Sequence, residues 1–524
     1  MQSIPQVSSE PVINVAVDTL VKHKQALIFV ASKRSAQKAA ADISKHSADV
    51  ITHKDELKQL SQTILTALSP PTEQCKKLAH AIERGVAFHH SGLAPSQRTA
   101  IEHAFRAGTL KLIACTPTLA AGLDMPAFRS ILKDVKRYNG AFGMDYIPVL
   151  EYQQMAGRAG RPGKEDFGEA IMIASTEREK LALIEKFIFG DVEDIYSKLA
   201  VEPVLRMYVL SLVATGLCRT KSELAKFFSQ TFWAHQYKDL EQLQRIIERV
   251  IRLLISYEFI EQAKTVKKPD SDFMTAADLF EQRDTPLIAT QLGMRVSQLY
   301  LDPLSANHII QGLKKANLTV FGVVHLLCQT LEMRPQLPIK KAEQELFNTF
   351  LFKHESELLC PLPTFYDVEY EDFFASLKTT AYMLDWIEEF SEQSLFEKYD
   401  IRPGDINAKN EIMDWLLYCS VELSQALNLK QHIGFLTKLR TRVSYGAKED
   451  LLILLQLKGI GRVRSRQLAT NNIRTIKDIQ NATLGTLAAI IGPAIAADIK
   501  RQVGQNPDEL KKEKTNTLFS YHHS

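Results

Sequence analysis

Long hydrophobic runs are missing from this sequence: no stretch of 18 apolar residues occurs among its 524 positions, which excludes a membrane-crossing helix. The first residues, Met1-Gln2-Ser3-Ile4-Pro5, lack a basic segment followed by an apolar one, so a secreted protein is not expected. Cysteine is sparse, and Cys75, Cys115, Cys218, Cys328, Cys360 and Cys419 form no C-x-x-C pair. That argues against a zinc site or a disulfide framework and favours a reducing compartment. Glycine and proline, at 23 and 20, are too few for a low-complexity chain. Also missing is a glycine-rich phosphate loop, G-x-x-x-x-G-K-[ST]. Gly163-Lys164 is followed by Glu165 and has no glycine five positions earlier. No D-E-x-H follows an apolar strand, so these residues alone do not make a complete phosphate-loop ATPase.

What is present is an ordinary globular mix, 45% apolar and 24% charged, long enough at about 150 residues per domain for three or four domains. Net charge is only +3, but between Lys430 and Lys514 there are 16 basic against 7 acidic residues, while the remainder is acidic by 6. A basic C-terminal region on a mildly acidic body points to a polyanionic partner.

Residues 11–180 alternate between strand and helix signals. Ala26–Val30, Lys111–Cys115 and Glu169–Ile173 are short apolar runs of the buried parallel-strand kind, separated by helical stretches such as Ser35–Ser44 and Ser96–Phe105. This pattern predicts a parallel sheet with helices on both faces. Beyond about residue 185 strand signals fade and amphipathic helices dominate, as in Leu240, Leu243, Ile247, Val250 and Leu254. The fold class expected is therefore multidomain: an α/β parallel-sheet domain followed by mostly α domains.

The segment Gln154-Met155-Ala156-Gly157-Arg158-Ala159-Gly160-Arg161 places two arginines three apart, expected at the start of a helix. Guanidinium groups offer a planar fork to phosphate oxygens and never lose their charge. Upstream, Thr116-Pro117-Thr118-Leu119-Ala120-Ala121-Gly122-Leu123-Asp124 follows a predicted strand, at the edge where α/β sheets bind ligands. With Phe29–Arg34 and Val86–Leu93, these four motifs, in order, resemble the second, RecA-like motor domain of superfamily-two helicases. The wording is similar in particular to the archaeal fork-repair DNA helicases and their animal counterpart, helicase Q.

That resemblance runs along nearly the whole chain. It implies a second motor domain over 1–183 with a β-hairpin near 131–147, a winged helix over 184–288, a helical ratchet domain over 289–430, a helix-hairpin-helix over 431–505 and a tail over 506–524. Asn139-Gly140 between extended segments is itself a hairpin cue, because both residues accept positive φ. In the resembling family this hairpin parts the duplex, and here Lys136 and Arg137 would touch DNA. Gly459-Ile460-Gly461 between helical segments can aim backbone amides at a phosphate, with Lys458, Arg462, Arg464 and Arg466 adding charge. Trp415 lies within the expected helix Asn407–Leu427, which resembles the family's ratchet helix, whose tryptophan stacks on an unpaired base. Where the family often has an arginine seven residues before it, Ala408 stands here with Lys409 beside it. Trp233 and Trp386 read as core.

By resemblance the chain is the C-terminal portion of an ATP-dependent 3′→5′ DNA helicase acting on single-stranded and forked DNA in fork repair, in the cytoplasm of an archaeal-like cell. Gln154, Arg158 and Arg161 would be catalytic and sense the γ-phosphate, Gly122 and Asp124 would couple nucleotide to DNA, and Ser32, His90 and Thr116 would touch the strand. ATP with Mg2+ would be held mainly by a first motor domain, expected on a separate polypeptide; no metal ligand set is expected in these residues. Residues 515–522 faintly resemble a sliding-clamp-binding peptide. The competing readings are a non-catalytic branched-DNA-binding protein and an RNA helicase of the related exosome-linked group.

Overall fold

The computed structural model describes residues 4–505 except 49, 52, 69, 121–124, 140–142, 162, 164, 200, 264–284 and 365. The chain divides into two compact units, Met1–Ile195 with Glu392–Asn407, and Tyr196–Ser391 with Ala408–Ser524.

In the first unit the three expected runs are joined by two further strands, Val86–His89 and Arg129–Leu132, in a five-stranded sheet of order β2-β3-β1-β4-β7, every pair parallel. Its strands are β1 (Ala26–Phe29), β2 (Val86–His89), β3 (Leu112–Cys115), β4 (Arg129–Leu132) and β7 (Glu169–Met172). The first four are buried along their whole length, as a sheet covered on both faces requires. Helices start where a hydroxyl can accept an orphan amide: Ser32 caps Lys33–Ser47, Thr72 caps Glu73–Ile82 and Thr176 caps Glu177–Leu183. Arg129, 1% exposed, ties the unit together by donating to Asp18 at 2.6 Å and Glu169 at 2.5 Å. A separate antiparallel hairpin, β5 (Lys136–Asn139) and β6 (Gly143–Tyr146), follows β4.

The second unit is mostly helical, as expected. A small antiparallel sheet, β8 (Ile260–Gln262) with β9 (Leu287–Ala289), follows helix Leu240–Ser256. Three-residue strands carry too little periodicity to stand out from the helical pattern around them. Helices Val320–Cys328 and Tyr370–Ile387 bury most of their residues, and Trp386 and Trp233 are both core. Near the C-terminus, Arg462–Thr470, Ile476–Asn481, Leu484–Ile491 and Pro493–Gln502 enclose a core built on Leu454, Leu468, Leu487 and Ile499.

Candidate nucleic-acid and nucleotide sites

The carboxyl ends of β1, β2 and β3 open into one cleft of ≈ 420 Å³, lined by Ser32, Lys33, Ser91, Thr116, Thr118, Lys136 and Arg137 among others. Ser32, Thr116, Lys136 and Arg137 were expected as DNA contacts from three separate motifs, and the fold brings them together. The open end of a parallel sheet is where such folds place ligands. The Thr116 and Thr118 hydroxyls lie 2.9 Å apart, and the Ser32 hydroxyl accepts from the Ser35 amide at 3.0 Å. Each of the three cations is held by a carboxylate: Lys33 by Asp405 at 2.6 Å, Arg137 by Glu151 at 2.9 Å and Lys136 by Glu179 at 3.5 Å. Lys136 also lies 4.6 Å from the centre of the Tyr146 ring. Lys33, Ser91 and Thr118 were not singled out from sequence. Their signal was position, the first residues after each strand.

His90 is a correction. It was expected to touch the strand, but it is fully buried. Its Nδ1 accepts from the Gly92 amide at 3.1 Å and its Nε2 lies 3.2 Å from the Gln37 amide nitrogen. Burial, with Lys33 and Arg402 nearby, pushes its pKa down to about 3, so it is a neutral core group. The neighbouring Ser91 faces the cleft instead.

The two motif arginines also differ from expectation in placement: helix Val149–Ala156 ends before them, so they follow its C-terminus. Pro148 offers that helix no side-chain cap, and Glu193 accepts its first amides, from Val149 at 2.6 Å and Leu150 at 3.1 Å. Those amides hold the Glu193 carboxyl below the ordinary carboxylate range, a cap no local motif announced. Gln154 is exposed on this helix, and both arginines are half-buried. Arg158 Nε donates to the Ala120 carbonyl at 3.0 Å, reinforced by its NH2 group. Arg161 Nε donates to the Pro126 carbonyl at 3.1 Å, and its NH2 group to the Gln25 side chain. Backbone bonds from Ala127 to Arg158 and from Gly160 to Ala127 complete the junction. The arginines thus engage the carbonyls of Ala120 and Pro126; Gly122 and Asp124 lie outside the described residues. Burial lowers the Arg161 pKa, offset in part by Glu165, whose carboxylate pairs with Lys24 at 3.4 Å.

The hairpin is formed, with Asn139 paired to Gly143, which makes the connection three residues long. Its residues 140–142 are outside the described set.

In the second unit Trp415 is half-buried on helix Pro403–Ala426. Lys409 does not stand free for DNA: its ammonium donates to the Pro335 carbonyl at 2.7 Å. Arg466 is likewise committed, forked onto Glu389 at 2.6 and 2.8 Å and onto Asp450 at 2.9 and 3.0 Å. Those carboxylates raise its pKa further above the ordinary arginine range. Arg462 lies 4.4 Å from the centre of the Trp386 ring. Lys458, Gly459 and Arg464 are exposed around the turn, where Gly459 takes φ +83° and Arg464 donates to its carbonyl at 2.9 Å. Gly461 ends the turn in extended backbone as the N-cap of Arg462–Thr470. Residues 515–522 fall outside the described residues.

A parallel sheet carrying four ordered motifs, followed by helical domains and a helix-hairpin-helix, defines the class: a helicase motor domain with appended nucleic-acid-binding domains. Residues 12–163 match the helicase conserved C-terminal domain, 168–261 a helix-turn-helix domain, 321–446 domain 4 of archaeal helicases and 451–504 a SAM-like helix-hairpin-helix tandem. The chain is 37% identical to the ATP-dependent DNA helicase Hel308 of Methanocella arvoryzae, across 99% of this chain and 69% of the relative. It is 34% identical to Hel308 of Pyrococcus horikoshii, across 97% and 68%. The Methanococcus vannielii protein of that name is also 34% identical, across 96% and 69%. The chain belongs to the Hel308 family of archaeal superfamily-two DNA helicases, and it spans about two thirds of the length of these relatives.

Proposed function

We propose that this chain supplies the DNA-gripping and γ-phosphate-sensing part of an ATP-dependent helicase that unwinds forked or branched DNA 3′→5′ in replication-fork repair. On this reading 1–183 is the second motor domain, 184–288 the winged helix, 289–430 the ratchet domain and 431–505 the helix-hairpin-helix. The supporting observation is the cleft, where hydroxyls and cations from three motifs line one surface at the sheet's ligand edge. Such groups bind a phosphodiester backbone without reading its sequence, which suits a translocating motor.

Arg158 and Arg161 fit a nucleotide phosphate. Their described hydrogen bonds go to carbonyl and amide oxygens, so their charge is not spent on a carboxylate. ATP with Mg2+ supplies the hydrolysable phosphoanhydride, and Gln154, Arg158 and Arg161 would bind its terminal phosphate. The glycine-rich phosphate loop that would complete such a nucleotide site is not found among these residues.

Binding of a labelled oligothymidylate as salt is raised tests the reading. Thr116→Val and Arg137→Ala are each expected to weaken binding several-fold, and Arg137→Ala to reduce the logarithmic salt slope by about 0.7, one lost single-strand phosphate contact. Unchanged affinity in both variants would defeat the assignment, and preference for a matching RNA would move it to the RNA helicases.

A further inference from the structure

We propose that Lys33 is a strand-phosphate ligand held in reserve by Asp405, whose carboxylate occupies the phosphate's place until a strand enters the cleft. The inference rests on the cleft being the DNA site, and adds to it a residue and a gate.

Lys33 and Ser32 together line the cleft, and the Lys33 ammonium lies 2.6 Å from Asp405 Oδ1. Both side chains are about one-third exposed (31% each), so solvent reaches the pair and an incoming anion can compete for the lysine. The cleft's other two cations pair with carboxylates nearer in sequence, Arg137 with Glu151, 14 residues away, and Lys136 with Glu179, 43 residues away. Asp405 comes from 372 residues away in sequence.

That distant segment is firmly seated on the cleft's rim. The Gly404 amide donates to the Gly92 carbonyl at 3.2 Å, and Arg34 pairs with Asp400 at 2.8 Å. A Cβ at Gly404 would overlap the Ser91 carbonyl oxygen and lie 2.6 Å from that of Leu93, so only glycine permits this approach. In turn, a Cβ at Gly92 would lie 2.8 Å from Arg402 Cδ. The seat is steric and backbone-bonded, while the Lys33–Asp405 contact is ionic and exchangeable.

Asp405 also stands in the first turn of helix Pro403–Ala426. A carboxylate there is favoured by the helix's own amides, so it loses little when Lys33 leaves it. Lys33 gains a phosphate, Asp405 falls back on its helix, and the helix that carries Trp415 senses the exchange at its first turn. The device makes strand entry and the first turn of that helix a single event.

Titration of the chain with a labelled oligothymidylate at several salt concentrations tests this. Lys33→Ala should weaken binding several-fold and lower the salt slope by about 0.7. Asp405→Asn should tighten binding roughly two- to fivefold, the worth of one exposed ionic competitor. In the Lys33→Ala background the Asp405→Asn exchange should change nothing, because its effect passes through the lysine. Asp405→Ser provides the same reading if the asparagine variant unfolds early in a thermal scan. If Lys33→Ala weakens binding but neither Asp405 variant tightens it, the latch is overturned while the cleft stands. If Lys33→Ala, Thr116→Val and Arg137→Ala all bind as the parent does, the cleft is not the DNA site and the latch falls with it.

Discussion

Acid should loosen the helical unit through one histidine. His325 is fully buried, stacked on Phe321 with ring centroids 5.6 Å apart and set edge-on to Phe373 at 5.0 Å. Its Nε2 lies 3.1 Å from the Ser376 hydroxyl and 3.3 Å from the Gln329 side-chain amide nitrogen. Nδ1 is left without a hydrogen-bond partner among the described residues. A second proton on the ring would be a buried charge facing apolar rings. Burial, with His308 adding to it, pushes the pKa down to about 3, against roughly 6.5 when unfolded. Above pH 6.5 the ring is neutral in both states and costs nothing. Below it the unfolded chain takes up a proton that the folded chain refuses until about pH 3. Stability therefore falls by about 1.4 kcal/mol per pH unit across that window, or about 2 kcal/mol at pH 5. Trp233, Trp386 and Trp415 all lie in the second unit, so tryptophan fluorescence in a urea titration reports that unit. The difference in unfolding free energy between pH 7 and pH 5 should be about 2 kcal/mol larger in the parent than in His325→Leu. An equal difference in both proteins would refute the reasoning.

Two further perturbations bear on the motor unit. Arg129→Met should cost about 3–5 kcal/mol in denaturant unfolding, because it strands the carboxylates of Asp18 and Glu169 around a buried site; a loss below about 1 kcal/mol would contradict it. Arg161→Ala should cost about 1–3 kcal/mol, since the Gln25 side chain, 3% exposed, loses the donor to its oxygen. In the ATP-hydrolysing helicase it should also abolish DNA-stimulated ATP turnover, and intact turnover would remove Arg161 from the nucleotide site.

The sheet was legible in part, because buried parallel strands are short continuous apolar runs: Ala26–Phe29 and Leu112–Cys115 read directly, while Val86–His89 and Arg129–Leu132, each carrying polar residues, did not stand out. Asn139-Gly140 pointed to a hairpin at this place, but Asn139 is itself a strand residue paired to Gly143, and Gly140 lies outside the described residues. Less legible was everything set by tertiary direction. Sequence puts His90 beside Ser91 in one motif, but adjacent residues at a strand end point opposite ways, and the histidine went into the core. Charge at the C-terminus predicted a basic surface, yet Arg466 is consumed by Glu389 and Asp450, a long-range pairing with no local signature. Lys409 was lost to backbone carbonyls for the same reason. The Asp405 contact was hidden because its partner lies at the far end of the chain.

A single strand is expected to run through the cleft at the carboxyl ends of β1, β2 and β3. Photocrosslinking of a thiothymidine oligonucleotide to the chain, followed by peptide mapping, tests it most directly. Crosslinked peptides should contain Ser32–Lys33, Ser91 and Thr116–Thr118, and should be lost on competition with unlabelled single strand. Crosslinks confined to residues 451–504, with none in the motor unit, would contradict it.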